Sequence, residues 1–159
     1  MIKARVEALR GLMKKHGLDA YLVPSTDPHQ NEYIPDFWQR RKYISGFRGS
    51  AGDVVITLSK AGLWTDSRYF LQAEQELDKK DYQLFKIGMP EVPGLKEWIA
   101  QELAYGETLG VDPQVLPHKS YRDLHTHLKT KGIRLKSVSR NLVDAVWDDR
   151  PVPAKEKIH

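Results

Sequence analysis

Residues 54–77 read VVITLSKAGLWTDSRYFLQAEQEL, and three patterns follow one another within them. Residues 54–58 are an apolar, mostly β-branched run of strand length, Ser59-Lys60-Ala61-Gly62 reads as a turn, and Leu63-Trp64-Thr65 is a second strand. A four-residue loop of this kind joins antiparallel neighbours, so the two strands are expected to pair as a hairpin. The period then becomes helical, with Phe70, Ala73 and Leu77 at i, i+3 and i+7. Between strand and helix lies Thr65-Asp66-Ser67-Arg68. Asp66 and Ser67 are expected to cap the helix, because their side-chain oxygens accept the orphan N–H groups of a first turn. Arg68 has no such explanation, since a cation there meets the unfavourable end of the helix dipole.

The same alternation extends outward in both directions. Upstream, Ile2, Val6, Leu9 and Met13 form one helical stripe that ends at Lys14, Lys15 and Gly17, and Ala20-Tyr21-Leu22-Val23 is a short apolar strand closed by Pro24. An unbroken apolar strand is buried on both faces, which requires helices on both sides of the sheet. Residues 37–44 read as weakly helical, and Gly46, Gly49 and Gly52 mark a bent connection. Downstream come strands at 82–87, 108–111 and 133–138. They alternate with helical faces formed by Leu95, Trp98, Ile99 and Leu103 and by Tyr121, Leu124 and Leu128. Leu142, Val143, Val146 and Trp147 make one amphipathic turn or two. Six strands, at least four helices and one hairpin predict an α/β fold with a mixed, roughly six-stranded sheet and helices on both faces. Residues 1–147 are expected to form one domain. Residues 148–159, opening Asp148-Asp149-Arg150-Pro151-Val152-Pro153, have linker chemistry, so the chain reads as a fragment ending just past a domain boundary.

Composition narrows the function classes. The chain of 159 residues carries 25 basic and 21 acidic residues, a net charge of +4, and no Cys. That excludes a disulfide framework and a thiolate zinc site. The N-terminal segment lacks the uninterrupted apolar core of a signal peptide or a membrane span. A cytoplasmic location is the resulting expectation, with no membrane partner.

Few residues carry chemistry on pattern alone. The loop at 27–33 follows a buried strand and contains His29 and Glu32, a candidate acid–base pair at the position where open α/β sheets place their crevices. Asp, Asn and His also populate such turns for local hydrogen-bonding reasons. His125 and His127, two apart on a helix, point about 200° away from each other and do not suit a metal. GFRGSAGD at 46–53 lacks the Lys-Ser or Lys-Thr of a phosphate loop and the spacing of a nucleophile elbow, and reads as a bend needing positive φ, with Arg48 available to an anion. The tract Lys129, Lys131, Arg134, Lys136 and Arg140 has no aromatic platform for bases and reads as a charged edge strand. Arg40-Arg41-Lys42 is expected on the surface.

Four separated segments, YLVPSTDPHQNEYIP (21–35), YISGFRGSAGD (43–53), LWTDSRYFLQAEQELD (63–78) and NLVDAVWDDRP (141–151), resemble in order and spacing the N-terminal domain of the cytosolic Xaa-Pro aminopeptidase (aminopeptidase P) family. The resemblance implies a domain of the creatinase N-terminal type, ribonuclease H-like in fold and inert as a peptidase by itself. It also implies a downstream pita-bread catalytic domain holding two divalent ions, manganese, that acts on peptides with proline at the second position, and a homodimer. No metal ligand and no catalytic residue is expected within this chain. The family's W-T-D-G-R-Y motif, here Trp64-Thr65-Asp66-Ser67-Arg68-Tyr69, carries an arginine that contacts substrate, which assigns that role to Arg68. Asp66, His29 and Glu32 are subsidiary candidates for substrate binding. Ser67 departs from the family's glycine, and Pro28 and Asn31 stand where Ala and Ser are common.

Two rival readings are testable. A free-standing basic nucleic-acid-binding module would bind RNA or DNA with strong salt dependence; the leading reading expects no nucleic-acid partner. A self-sufficient enzyme using His29, Glu32 and Asp66 would turn over peptides alone.

Overall fold

The protein is described by a computed structural model over residues 2–24, 40–49, 52–113, 116, 118–138 and 141–147. Ala20–Val23 (β1), Asp53–Thr57 (β2), Ala61–Thr65 (β3), Gln83–Lys86 (β4), Thr108–Val111 (β5) and Arg134–Ser137 (β6) form one sheet in the order β4-β3-β2-β1-β5-β6. β2 runs antiparallel to β1 and to β3, and the other neighbours are parallel. The hairpin is present but tighter than its sequence suggests. Ile56 pairs with Ala61, so Ala61 and Gly62 belong to β3 and the turn is Leu58-Ser59-Lys60. The Thr57 hydroxyl accepts the N–H groups of Lys60 at 2.8 Å and Ser59 at 3.3 Å, which closes the turn early.

Helices cover both faces. Ile2–Lys15 (α1), Arg40–Ser45 (α2), Phe70–Glu76 (α3) and Leu142–Val146 (α6) pack on one face against Tyr21, Val23, Val54, Ile56 and Leu63. Leu95–Glu102 (α4) and His118–Lys129 (α5) pack on the other, against Ala20, Leu22, Val55, Trp64 and Leu109. Alternate residues of each strand thus enter opposite cores, as the pleat dictates. On the second face Trp64 stacks on Phe85 at 4.3 Å, and Trp98 meets both rings edge-on at 5.2 and 5.5 Å. Gly62 makes room for this trio: a Cβ there would lie 2.7 Å from Phe85 Cε2.

The arginines of α2 correct the surface expectation. Arg40 and Arg41 are buried, and only Lys42 is exposed. Arg40 donates from Nε to Asp144 Oδ1 at 2.7 Å and from Nη2 to Oδ2 at 2.8 Å, a fork that ties α2 to α6 across 104 residues of chain. Tyr43 stacks on Trp147 at 4.8 Å and its hydroxyl donates to the Val146 carbonyl at 3.0 Å. Asn141 caps α6 by accepting the Val143 N–H at 2.9 Å, while its amide donates to Asp112 at 2.9 Å. Asp144→Ala leaves the buried Arg40 cation without this carboxylate, and removing one partner of such a pair costs about 3 kcal/mol or more. Urea unfolding is expected to show a lowered midpoint at unchanged slope, and Arg40→Met with Asp144→Leu is expected to recover most of the loss. A shift for Asp144→Ala equivalent to less than about 1 kcal/mol would mean that the Arg40–Asp144 fork does not clamp α6 to α2.

Candidate substrate-contact rim

β3 ends at the buried Thr65, at the C-terminal edge of the sheet. The chain does not enter α3 directly: Asp66 is extended, Ser67–Tyr69 form a 3₁₀ turn, and the α-helix starts at Phe70. Asp66 Oδ1 accepts the backbone N–H of Arg68 at 3.0 Å, so it caps the 3₁₀ turn. The expected capping by Ser67 is not observed. Tyr69 occupies the N-cap position of α3 and makes no side-chain cap bond. Arg68 therefore stands ahead of the α-helix, which dissolves the dipole misfit read from the sequence.

The guanidinium of Arg68 lies against the same aspartate. Nε donates to Oδ1 at 3.1 Å and Nη2 to Oδ2 at 2.9 Å. The arginine side chain is nonetheless 68% exposed, against 37% for Asp66. Its hydrogen bonds hold the Asp66 carboxyl below the usual aspartate value, and Asp66 in return raises Arg68. Arg68 Cζ is 5.2 Å from the Tyr69 ring, Tyr69 meets Phe47 edge-on at 6.2 Å, and Phe47 lies 5.2 Å from Arg41 Cζ. A row of two rings between two guanidinium groups thus leads from the buried Arg41 to the exposed Arg68.

Arg41 anchors that row from inside. Nη1 donates to the Gly52 carbonyl at 3.2 Å and Nη2 to that of Gly49. Burial pushes Arg41 down to about 10, while Asp53, Tyr69 and Glu76 oppose the shift, so it stays protonated at neutral pH. The glycine bend is built differently from its reading. Gly46 alone among Gly46, Gly49 and Gly52 has positive φ, at 81°. Gly49 is needed because a Cβ would run into the Phe47 ring. Arg48, read as available to an anion, is engaged with Glu76 through its N–H at 2.7 Å and Nε at 3.4 Å.

His29 and Glu32, with the whole loop at 27–33, lie outside the described residues. His125 stacks on Tyr121 with ring centres 6.4 Å apart, whereas His127 Nε2 is buried. Lys129 at the end of α5 and Lys131 in the turn after it are exposed, as are Arg134 and Lys136 along β6, which is an edge strand, and Arg140 lies outside the described residues. Among the described residues no group of three or more His, Cys, Asp or Glu could hold a metal ion, and no helix is long and apolar enough to cross a membrane. A cavity of about 360 Å³ opens at the end of β1 between Leu22, Pro24, Asp53 and Leu124, and Arg68 is not among its lining residues. Sequence pattern singles out Arg68 and Asp66 but misses Phe47, Tyr69 and Arg41, whose alignment depends on the loop fold and leaves no periodic signal.

A mixed six-stranded sheet clad by helices on both faces is the architecture of creatinase/prolidase N-terminal domains. The chain belongs to the creatinase/prolidase N-terminal domain family, whose model matches residues 5–146. It is 45% identical to the probable Xaa-Pro aminopeptidase P of Neosartorya fischeri over 155 residues, which cover 97% of this chain and 24% of that protein. Among solved structures it matches the X-prolyl aminopeptidase of Caenorhabditis elegans, described as a cytosolic enzyme with a di-nuclear active site. The TM-score is 0.92 at 37% identity, over 97% of this chain and 26% of that one. The N-terminal domain of the cytoplasmic peptidase PepQ from Mycobacterium tuberculosis matches with a TM-score of 0.63 at 25% identity, over 90% of this chain and 98% of that one. The chain spans about a quarter of the length of the curated relatives it matches. These relatives are peptidases, and the nucleic-acid alternative finds no support among them.

The Asp66–Arg68 pair has a measurable acid signature. Because the folded value of Asp66 lies below its unfolded one, the pair's contribution is complete above the ordinary aspartate value, about 3.9. It is lost as the pH falls through the lowered value. Carboxyl NMR titration is expected to place Asp66 below 3.9, and Arg68→Ala to return it toward that value. An Asp66 midpoint unmoved by Arg68→Ala would mean the fork does not persist in solution.

Proposed function

We propose that this chain is the non-catalytic N-terminal domain of a metal-dependent Xaa-Pro aminopeptidase and that it lends Arg68 to the substrate cleft. The observation that carries the reading is a guanidinium held at the C-terminal edge of the sheet by Asp66 and Tyr69, with its side chain 68% exposed. Crevices at the carboxyl ends of strands are where open α/β sheets meet their ligands. A guanidinium offers further N–H donors that suit the carbonyls of a peptide, and it does not deprotonate. The whole protein would remove the residue preceding proline at a peptide N-terminus. Two divalent ions, manganese, would be held by a catalytic domain beyond this chain, a reading supported by the di-nuclear active site of the worm relative. Residues 1–147 form the domain in this reading, and 148–159 lead toward the catalytic part. Assembly as a homodimer and a cytoplasmic location complete the proposal, the latter supported by the lack of Cys and by the cytosolic worm relative.

Arg68→Ala in the complete enzyme is expected to raise KM more than it lowers kcat. The loss in kcat/KM is about ten- to a hundredfold, the scale of one charge-assisted hydrogen bond to a ligand. Unchanged kinetics over peptides of several lengths would withdraw Arg68 from substrate binding. The chain on its own, with manganese added, is expected to hydrolyse no Xaa-Pro peptide; turnover there would favour a self-sufficient enzyme.

A further inference from the structure

Arg68 is a cation whose charge is already answered. The Asp66 carboxylate occupies its Nε and Nη2 edge at 3.1 and 2.9 Å, which uses two of the five N–H donors of a guanidinium. Asp66 cannot swing away without also releasing the backbone N–H of Arg68 at 3.0 Å, the cap of the 3₁₀ turn. Neighbouring charge is balanced in the same manner, since Lys86 pairs with Glu74 while lying 5.7 Å from the Phe70 ring. Among the described residues close to these pairs along the chain or through backbone pairing, three large apolar side chains are exposed. Leu71 is 68% exposed, Ile87 51% and Met89 49%. Ile87 is tied beside Asp66 by its N–H on the Thr65 carbonyl at 3.0 Å.

We infer that Asp66 sets what Arg68 reads: the neutral carbonyls of an extended peptide passing the end of β3, and not a terminal carboxylate. This rests on the reading that Arg68 touches substrate. The physical reason is the difference between the two ligands. A carbonyl takes hydrogen bonds from the remaining N–H donors and is indifferent to net charge. A carboxylate gains from the Arg68 charge and loses most of that gain to the Asp66 carboxylate held beside it, as both act over similar short distances. The substrate class this selects is peptides that continue past the arginine. Those that end within its reach gain no advantage from their charge. Asp66 is then a specificity-setting residue that acts through Arg68.

The test uses the complete enzyme and peptides of three to six residues beginning Ala-Pro, each as the free acid and the C-terminal amide. In the unsubstituted enzyme the acid-to-amide ratio of kcat/KM is expected to stay within about twofold at every length. Asp66→Asn retains a capping oxygen but removes the charge. It is expected to raise that ratio about fivefold at the length whose terminus reaches Arg68, the increase disappearing in about 0.5 M salt. The ratio compares two peptides on one protein preparation, so partial misfolding does not mimic it. A free-acid preference in the unsubstituted enzyme that Arg68→Ala abolishes would overturn the inference while leaving Arg68 in the cleft. So would an Asp66→Asn enzyme with an unchanged ratio at every length. Kinetics indifferent to Arg68→Ala at all lengths would instead remove the reading beneath it, and the inference with it.

Discussion

Strands β1 and β3 are buried along their whole lengths, and β2 is buried at every position but its first. That double burial is the constraint on which the rest of the structure depends. A strand with no solvated face needs a helical layer on each side, and its backbone groups need strands at both edges. The hairpin supplies one neighbour for β2 and β1 supplies the other. The two helical layers supply the cores, one built around Tyr21, Val54 and Leu63 and one around Leu22, Val55 and Trp64. Close packing follows at particular glycines: a Cβ on Gly110 would lie 2.5 Å from Leu18 Cδ1 and 3.1 Å from Tyr21 Cδ1.

Within this frame three arginines meet three different fates, set by what faces them. Arg40 finds a carboxylate and becomes a buried fork that fastens α6 to α2. Arg41 finds the carbonyls of Gly49 and Gly52 and the Phe47 ring, and it braces the bend beneath the rim. Arg68 finds Asp66 two residues before it and stays at the surface, steadied by Tyr69. The braced bend and the rim are one unit, because Phe47 and Tyr69 touch between them. An exposed side chain on a long stem holds a defined aim only when its base is rigid, and here the base is the end of a fully buried strand.

Most of the fold is legible in the sequence. All six strands follow from short apolar runs, and the buried faces of α1, α3, α4 and α5 from the 3.6-residue period, which are local properties of the chain. The same local chemistry marks Asp66 and Arg68, because a polar knot between a strand and a helix is visible as a change of pattern. The hairpin turn was shorter than its residues suggest, since the Thr57 hydroxyl, itself a strand residue, closes it. Capping by Ser67 gave way to Asp66 because a 3₁₀ turn intervenes before α3.

What the sequence by itself determined is therefore the order and type of elements, the two-sided core, and the polar knot of Asp66 and Arg68 at the end of β3. Only the tertiary structure decided the burial of Arg40 and Arg41, the ring row from Arg41 to Arg68, and the fork by which Asp66 answers the charge of Arg68. The reason is distance along the chain. Arg40 and Asp144 are 104 residues apart and Tyr21 and Leu142 are 121 apart, so no periodicity relates them. A basic run reads as solvated until the fold brings its acceptors within hydrogen-bonding distance.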